Sequence, residues 1–200
     1  RGGGDRLVLR CDPTRTPALT KTLSVARDAG WSEVWVRAHG GCFTAQNTIT
    51  QLRTEGVRGV ILPVFSQVSA AHDAVAGRAG ALVATLRAMR ALGDAGLSVG
   101  AEIPLFEARL QDLDAILQLC RRATSAFTLA RFVVPRWPMP ASLDPPRWSH
   151  ARPRLAAALR RCDELRITAR VETGDGIPPC VLGHDPELAP RVSIDPSPLS

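Results

Sequence analysis

The feature that most constrains this chain is a regular alternation of short apolar segments with amphipathic ones. The apolar segments have the length of strands, and the amphipathic segments carry apolar residues at helical spacing. Successive apolar segments begin about 30 residues apart, the usual length of a strand, a helix and their connections. Since parallel strands need such crossover connections, the alternation predicts a parallel sheet built from right-handed βαβ units.

Six strands are predicted from the apolar segments. They cover residues 6–10, 33–38, 59–65, 98–104, 127–134 and 166–173. Three of the helices between them are expected to end at a glycine, namely Gly30, Gly56 and Gly96, and the last helix is expected to open at Pro153. We therefore predict a partial barrel over residues 1–175 and a loop and tail, rich in Pro, Gly and Asp, over residues 176–200.

Composition and charge narrow the classes of function. The chain carries a net charge of +6, but the basic residues are almost all arginine, they are scattered, and tyrosine is absent. No row of aromatic residues accompanies the arginines as a stacking platform, so we expect no nucleic-acid partner. Neither a signal peptide nor a long apolar span is present, which predicts a cytoplasmic protein without membrane contact.

The cysteines do not form a recognisable motif. They are five in number and widely spaced, at Cys11, Cys42, Cys120, Cys162 and Cys180. Without a Cys-x-x-Cys pair or a Cys/His cluster, no metal site is predicted within the chain. Cys120 and Cys162 fall on apolar helical faces, which indicates buried structural thiols.

Polar residues follow or end four successive predicted strands. These candidates for a binding site are Asp12, Thr14, His39, Ser66 and Glu102. Each also has a structural interpretation, since Asp12 and Thr14 are typical of a capped turn and His39 precedes a glycine pair. Because the carboxyl ends of parallel strands meet at one edge, we expect the five to converge on a polar ligand that carries an amine and a carboxylate.

The order of these segments resembles the radical S-adenosylmethionine (radical SAM) superfamily. The stretches that carry the resemblance are LVLRCDPT, ARDAGWSEVWVRAHG, EGVRGVILPVFS and AAHDAVAGRAGALVATLRAMRALGDAGLSVGAEIPL. They match the family order of a strand ending in Gly-Gly-Glu-Pro-Thr, a strand ending in Thr-Asn-Gly, and a strand ending in Ser with His-Asp soon after. The resemblance covers about half of the chain clearly, and GIPPCVL at residues 176–182 is similar to a segment near the end of some family cores.

The resemblance implies an incomplete parallel barrel that binds S-adenosylmethionine (SAM) and a [4Fe-4S] cluster. In the family, the cluster cleaves SAM to a 5′-deoxyadenosyl radical, which abstracts hydrogen from a substrate. The substrate here is unknown, and a peptide is one class that fits. The family's cluster motif, Cys-x-x-x-Cys-x-x-Cys, is absent from this sequence.

Two site positions follow from the first family motif. Asp12 stands where the family has the glutamate that receives the SAM amine, and Thr14 ends the same motif. Arg10 and Cys11 replace the two glycines, which bears on how closely a ligand can approach the backbone.

Three further positions follow from the later motifs. His39 replaces an asparagine, and Pro63 replaces the serine, for which Ser66 could substitute. Glu102 falls where the family often has an asparagine near the SAM carboxylate, and the two carboxylates would repel each other unless Glu102 points away or is protonated.

The missing cluster motif has two interpretations. Either the family's first strand and its cysteine loop lie before Arg1, or the chain is a degenerate relative. Under both, the 200-residue chain alone is expected to be inactive, although it could be a fragment of a longer enzyme.

Two other functions stay open. One is a non-catalytic module that recognises a peptide or a partner enzyme through the loop at residues 135–148, where Trp137 and Trp148 would anchor the partner or cover the open end of the barrel. The other is an unrelated barrel enzyme, such as an aldolase, for which Lys21 and the Gly-Asp-Gly at residues 174–176 are the only candidates.

Overall fold

The computed structural model describes residues 6–14, 16–134, 143–173 and 192–194. Its strands are β1 (Arg6–Arg10), β2 (Glu33–Arg37), β3 (Gly59–Pro63), β4 (Ser98–Pro104), β5 (Phe127–Val133), β6 (Thr168–Thr173) and β7 (Val192–Ile194). Its α-helices are α1 (Thr16–Asp28), α2 (Gln46–Thr54), α3 (Ser69–Ala76), α4 (Ala81–Asp94), α5 (Leu113–Ala123) and α6 (Trp148–Glu164). Two 3₁₀ helices, Gly40–Phe43 and Glu107–Asp112, follow β2 and β4.

The described strands form one sheet in which each pairs in parallel with the next along the chain, from β1 to β7. Because right-handed crossovers that always step in the same direction place every helix on the same face, the sheet curls away from its helices. The result is an α/β partial barrel, which confirms the predicted fold class. β1 and β7 lie at the two edges of the described sheet.

The main core lies between the sheet and its outer layer of helices. Every second residue of the strands points to this side, and these residues are apolar. Examples are Val36, Val60, Ile103, Phe132 and Val171, none of them measurably exposed. Such a cluster, continued by the apolar faces of the helices, is the principal source of hydrophobic stabilisation in a domain of this size.

The structure refines several predicted boundaries. α3 is a separate helix that contains the His72–Asp73 pair, and it ends at Gly77 in the left-handed conformation, with φ of 67°. α6 begins at Trp148, five residues before the predicted opening, so that Pro153 lies inside the helix. β7 lies within the segment predicted as loop and tail.

Some predicted features fall outside the described residues. These are Trp137, Cys180, the segment at residues 176–182 and the Gly-Asp-Gly sequence. Trp148 is described, and it is partly buried against the core. Within the described part, no helix combines the length and the apolar character that a membrane crossing requires.

Candidate functional site

The inner face of the sheet, opposite the helices, carries the charged residues of the strands. The residues that alternate with the outer core are largely Arg, Glu and small or apolar side chains. They form three layers from the amino ends to the carboxyl ends of the strands: an ion-paired layer, an apolar layer and a second ion-paired layer. Charges on this face need partners because it is partly closed from water by the curl of the sheet.

The layer at the amino ends is held by Arg6 and Glu33. The Arg6 Nε and the Glu33 carboxylate lie 3.0 Å apart, and the guanidinium carbon lies 5.0 Å from the ring centre of Trp35. Arg58 approaches the same carboxylate at 3.8 Å. Burial acts to raise the pKa of Glu33, but Arg6, Trp35 and Arg58 outweigh it and lower the pKa.

The middle layer is a small apolar cluster. It consists of Trp35, Ile61 and Leu129, with Val8 packed at its side. Gly100 leaves the space that Ile61 fills, since a Cβ atom at Gly100 would lie 3.0 Å from an Ile61 side-chain carbon. This layer separates the two sets of charges along the strands.

The layer at the carboxyl ends is a chain of four ionic side chains across β2, β4, β5 and β6. Arg37 donates to Glu102 through Nε at 2.7 Å and through a terminal nitrogen at 2.5 Å. Arg131 contacts the same carboxylate at 3.4 Å and also donates to Glu172, through Nε at 2.5 Å and through a terminal nitrogen. We call Arg37, Glu102, Arg131 and Glu172 the ionic chain.

Glu102 is the centre of the ionic chain and is only 3% exposed. Burial alone would raise its pKa, but the hydrogen bonds and charge of Arg37, with the charges of Arg131 and Arg10, lower it below the ordinary value. Glu102 is therefore a buried carboxylate with compensating cations. Its side chain points to the inner face, at the carboxyl edge where the sequence analysis placed it.

Two further arginines leave an excess of positive charge at this edge. Arg10 lies beside Arg37 in the register of β1 and β2, and Arg170 lies beside Arg131 in the register of β5 and β6. Arg10 and Arg170 are exposed, whereas Arg37 is half-buried and Arg131 is buried. Four arginines face two glutamates here, so the carboxyl end of the inner face is electropositive.

Asp12 and Thr14 form a turn after β1. The Asp12 Oδ1 accepts the Thr14 backbone N–H at 2.9 Å and the Thr14 hydroxyl at 2.6 Å, and both residues are exposed. The structural interpretation, a capped turn, is thus realised. The same turn holds a carboxylate at the carboxyl edge, one residue beyond Cys11.

His39 is exposed and precedes the 3₁₀ helix Gly40–Phe43, without a side-chain hydrogen bond to it. The two glycines that follow serve packing. A Cβ at Gly40 would lie 2.5 Å from the Thr85 Cα of α4, so only glycine lets this segment rest on α4. The backbone that follows His39 is therefore packed closely against α4.

Ser66 lies in the loop after β3 and is fully buried. Its Oγ accepts the Val68 backbone N–H and an Arg109 guanidinium N–H, each at 3.1 Å. It therefore joins the loop after β3 to the 3₁₀ helix after β4. Within the described part, His39, Ser66 and Glu102 share no hydrogen bond or ion pair with one another, and their convergence on one ligand stays a prediction.

His72, from the quoted His-Asp pair, is 1% exposed and lies 5.2 Å from Phe65 between ring centres. Burial lowers its pKa, although the Pro63 carbonyl and Asp73 oppose the shift. Asp73 lies 3.7 Å from His72 Nδ1, and it also accepts the backbone N–H groups of Gly80 and Leu82, at 2.6 and 2.9 Å, and so fixes the start of α4. Both residues of the pair therefore have structural contacts, His72 in the interior and Asp73 at the start of α4.

The described cysteines are free thiols. Cys120 and Cys162 are fully buried, as predicted, and burial raises the pKa of Cys120 to about 12. Cys11 and Cys42 are half-buried near Asp12, and desolvation, with the Asp12 charge, raises the pKa of each. In the described ranges, no group of three His, Cys, Asp or Glu side chains is placed to hold a metal ion.

The sequence analysis missed three members of the ionic chain: Arg37, Arg131 and Glu172. A signal was present, since each charged residue alternates with buried apolar residues along its strand, as in EVWVR, FTLARFV and TARVET. A charge flanked by two core residues has to point away from the helices. Four such strands in one sheet predict an ionic layer.

Comparison with known proteins adds a fold relation. No protein-family model matches the sequence, and no curated protein matches it. Among solved structures, Streptococcus suis SuiB bound to S-adenosylmethionine is similar, with a TM-score of 0.56 and 8% identity over 84% of this chain and 50% of SuiB. SuiB in a second structure gives a TM-score of 0.53 and 9% identity, over 84% of this chain and 49% of that one.

An HpcH/HpaI aldolase from Desulfitobacterium hafniense DCB-2 is also similar. Its TM-score is 0.53, with 15% identity over 96% of this chain and 78% of the aldolase. The chain spans about half the length of the SuiB structures. At these identities the comparisons show a distant relation of fold, shared by barrels of different chemistry.

Proposed function

We propose that the carboxyl edge of β1–β4 binds S-adenosylmethionine, as the cofactor-facing part of a radical SAM-like protein. The observation that carries the proposal is the singly wound parallel sheet, in which the loops after three consecutive strands bear Asp12, His39 and Ser66 in the family's order. The similarity to a SuiB structure that is bound to S-adenosylmethionine supports it.

The residues at this edge suit the methionine end of the cofactor. The exposed carboxylate of Asp12, held by Thr14, is suited to receive the ammonium group in a charge-assisted hydrogen bond. The exposed guanidinium of Arg10, on the inner face at the end of β1, is suited to the carboxylate. Glu102 does not repel that carboxylate strongly, because Arg37 and Arg131 already neutralise it.

The iron–sulfur cluster does not fit the described residues. A [4Fe-4S] cluster in this family needs three thiolates, and the described part offers no group of three metal ligands. The cluster would supply the electron that cleaves the cofactor to a radical. The chain's own part in the proposal is therefore confined to binding and orienting S-adenosylmethionine.

Isothermal titration of the chain with S-adenosylmethionine tests the proposal. We expect binding that Asp12→Asn weakens about tenfold or more, since a charge-assisted contact is lost. Asp28→Asn is the matched control, because Asp28 is an exposed carboxylate at the end of α1 and therefore near the opposite edge of the sheet.

The absence of binding heat at millimolar cofactor would overturn the proposal. So would equal effects of the two aspartate substitutions. If the folded chain does not bind S-adenosylmethionine, the result would favour the interpretation as a degenerate module that recognises a peptide or a partner enzyme.

A second candidate rests on the electropositive inner face. Four arginines against two glutamates favour a ligand with a carboxylate or phosphate group, as an unrelated barrel enzyme would require. Under this hypothesis, inorganic phosphate or a simple dicarboxylate binds better than S-adenosylmethionine. Arg170→Gln then weakens binding of the anion, whereas Asp12→Asn does not.

A further inference from the structure

A groove of about 450 Å³ runs between α4 and α5 on the outer surface, away from the inner face of the sheet. Its residues on α4 recur at the spacing of one helical stripe. They are Val83, Leu86, Arg87, Arg90, Ala91 and Asp94 from α4, with Leu119, Arg122 and Ala123 from α5. The stripe on α4 spans three turns, a length of about 16 Å.

The floor of the groove is apolar and only partly covered. Val83 is 44% exposed, one of the large apolar side chains that stand out on the described surface. Leu86, Ala91 and Ala123 pack against the core from one side and line the groove with the other. Since the opposite face of α4 is buried on the sheet, α4 has apolar residues on two faces, more than a helix in a single interface needs.

The rim of the groove is basic. Arg87, Arg90 and Arg122 are exposed, and among the described residues none of their guanidinium groups has a hydrogen-bond or ion-pair partner. By contrast, Arg161 on α6 has two acidic partners, Asp114 and Glu164. Within the described part of the chain, these three unpaired cations lie beside an apolar floor, and Asp94 is the only acidic residue that lines the groove. The surface therefore has one predominant sign of charge.

We propose that this groove is a docking surface for an acidic amphipathic helix of a partner protein. An apolar groove between two helices accepts the side-chain ridge of a third helix, and three turns give enough length for anchors at positions i, i+3 or i+4, and i+7. The three arginines select a helix that carries glutamate or aspartate beside its apolar stripe. The groove lies on the outer surface, apart from the proposed cofactor edge.

The test uses a fluorescein-labelled synthetic helix of about 15 residues, with leucines on one stripe and glutamates elsewhere. The fluorescence anisotropy of this peptide, titrated with the full chain, should show saturable binding. The binding should be at least about tenfold tighter than that of the same peptide with lysines in place of the glutamates. Val83→Asp, and separately the triple change Arg87→Glu, Arg90→Glu and Arg122→Glu, should each weaken binding about tenfold or more.

Matched control variants distinguish binding in the groove from non-specific binding of the peptide. Val25 on α1 is 60% exposed, and Arg53 on α2 is exposed, so Val25→Asp and Arg53→Glu should leave peptide binding unchanged. The substituted side chains are exposed, and circular dichroism should show the same unfolding temperature for all variants, which keeps the comparison interpretable.

Several outcomes would overturn the proposal. One is equal binding of the acidic and basic peptides, and another is binding that the groove substitutions do not weaken. A dimer seen by sedimentation that Val83→Asp dissociates would show that a second copy of the chain occupies the groove. Binding to vesicles of anionic lipid in place of the acidic peptide would show a membrane surface as the occupant.

Discussion

The two faces of the sheet differ sharply although the same strands build both. The outer face is apolar and packs on helices in one large cluster, whereas the inner face has a small apolar layer between two sets of ion pairs. Alternation along a strand sends neighbouring residues to opposite faces, so a five-residue strand such as β2 serves both environments. The apolar core and the charged face are thereby separated within each strand.

Substitutions on the two faces are expected to change stability for different reasons. The outer face draws its stability from packing, which is non-directional and sensitive to lost volume. The carboxyl end of the inner face depends on matched charges, where removal of one partner leaves another buried and uncompensated. Substitutions on the two faces probe this difference.

The first prediction compares two buried leucines. Leu62 on the outer face has no measurable exposure and belongs to the large cluster, and Leu129 on the inner face is 2% exposed in the small one. We expect Leu62→Ala to lower the free energy of unfolding by about 4 kcal/mol and Leu129→Ala by about 2.5 kcal/mol. Urea denaturation measures both, and a larger loss for Leu129→Ala would reverse the ranking of the two faces.

The second prediction concerns the ionic chain. Glu102→Gln removes the charge that compensates Arg37 and Arg131, and we expect a loss of about 3 kcal/mol in the free energy of unfolding near pH 7. Glu164→Gln on α6 is the control, because that glutamate is exposed and its loss should not be measurable.

The pH dependence of this difference provides a further check. The pKa of Glu102 is lower in the folded chain than in the unfolded one, so its contribution is present above about pH 4.5 and is lost as the pH falls through the folded pKa. The difference between wild type and Glu102→Gln should therefore shrink in acid. A constant difference down to pH 3 would contradict the assignment of a paired carboxylate.

The third prediction concerns the glycine pair after His39. Gly40→Ala places a methyl group against the backbone of α4, and we expect a loss of about 2 kcal/mol, because backbone has to move. Gly41→Ala is the matched control, since its methyl group meets only the end of the flexible Arg78 side chain. Thermal unfolding of the two variants measures the difference in stability. Equal midpoint temperatures would mean that the contact with α4 is not tight.

The fourth prediction contrasts His72 with Glu102. Burial outweighs the Asp73 carboxylate beside His72, whereas Arg37 and Arg131 outweigh the burial of Glu102. Burial lowers the pKa of His72 below its ordinary 6.5, so folding disfavours its protonated form. Its contribution to stability is present above about pH 6.5 and is lost as the pH falls toward the folded pKa. His72→Phe should remove this part of the stability profile, which chemical denaturation between pH 7 and 5 would measure.

Much of the fold could be predicted from the sequence because its signals are local. β1 and β4 have the predicted bounds, and the other predicted strands shift by a few residues at their ends. Proline was a weaker guide, since Pro153 was expected to open α6 and lies inside it. The 3₁₀ helices and β7 were not predicted, because pieces of three to six residues depend on contacts more than on periodicity.

The candidate site was predictable only in part. The parallel topology places the loops with Asp12, His39 and Ser66 after successive strands, as expected from the sequence. The state of each side chain followed from neighbours distant in the sequence, such as Arg109 for Ser66, 43 residues away. Spacing along one chain does not specify which loops meet.

The sequence by itself determined the alternation of strands and helices, the parallel direction of the sheet and the buried thiols, since these depend on apolar periodicity and on the length of the connections. Only the tertiary structure decided that Glu102 is a compensated carboxylate, because its partners Arg37 and Arg131 lie 65 and 29 residues away. The pKa of a buried carboxylate depends on the charges packed around it, and that packing exists only once the strands are side by side.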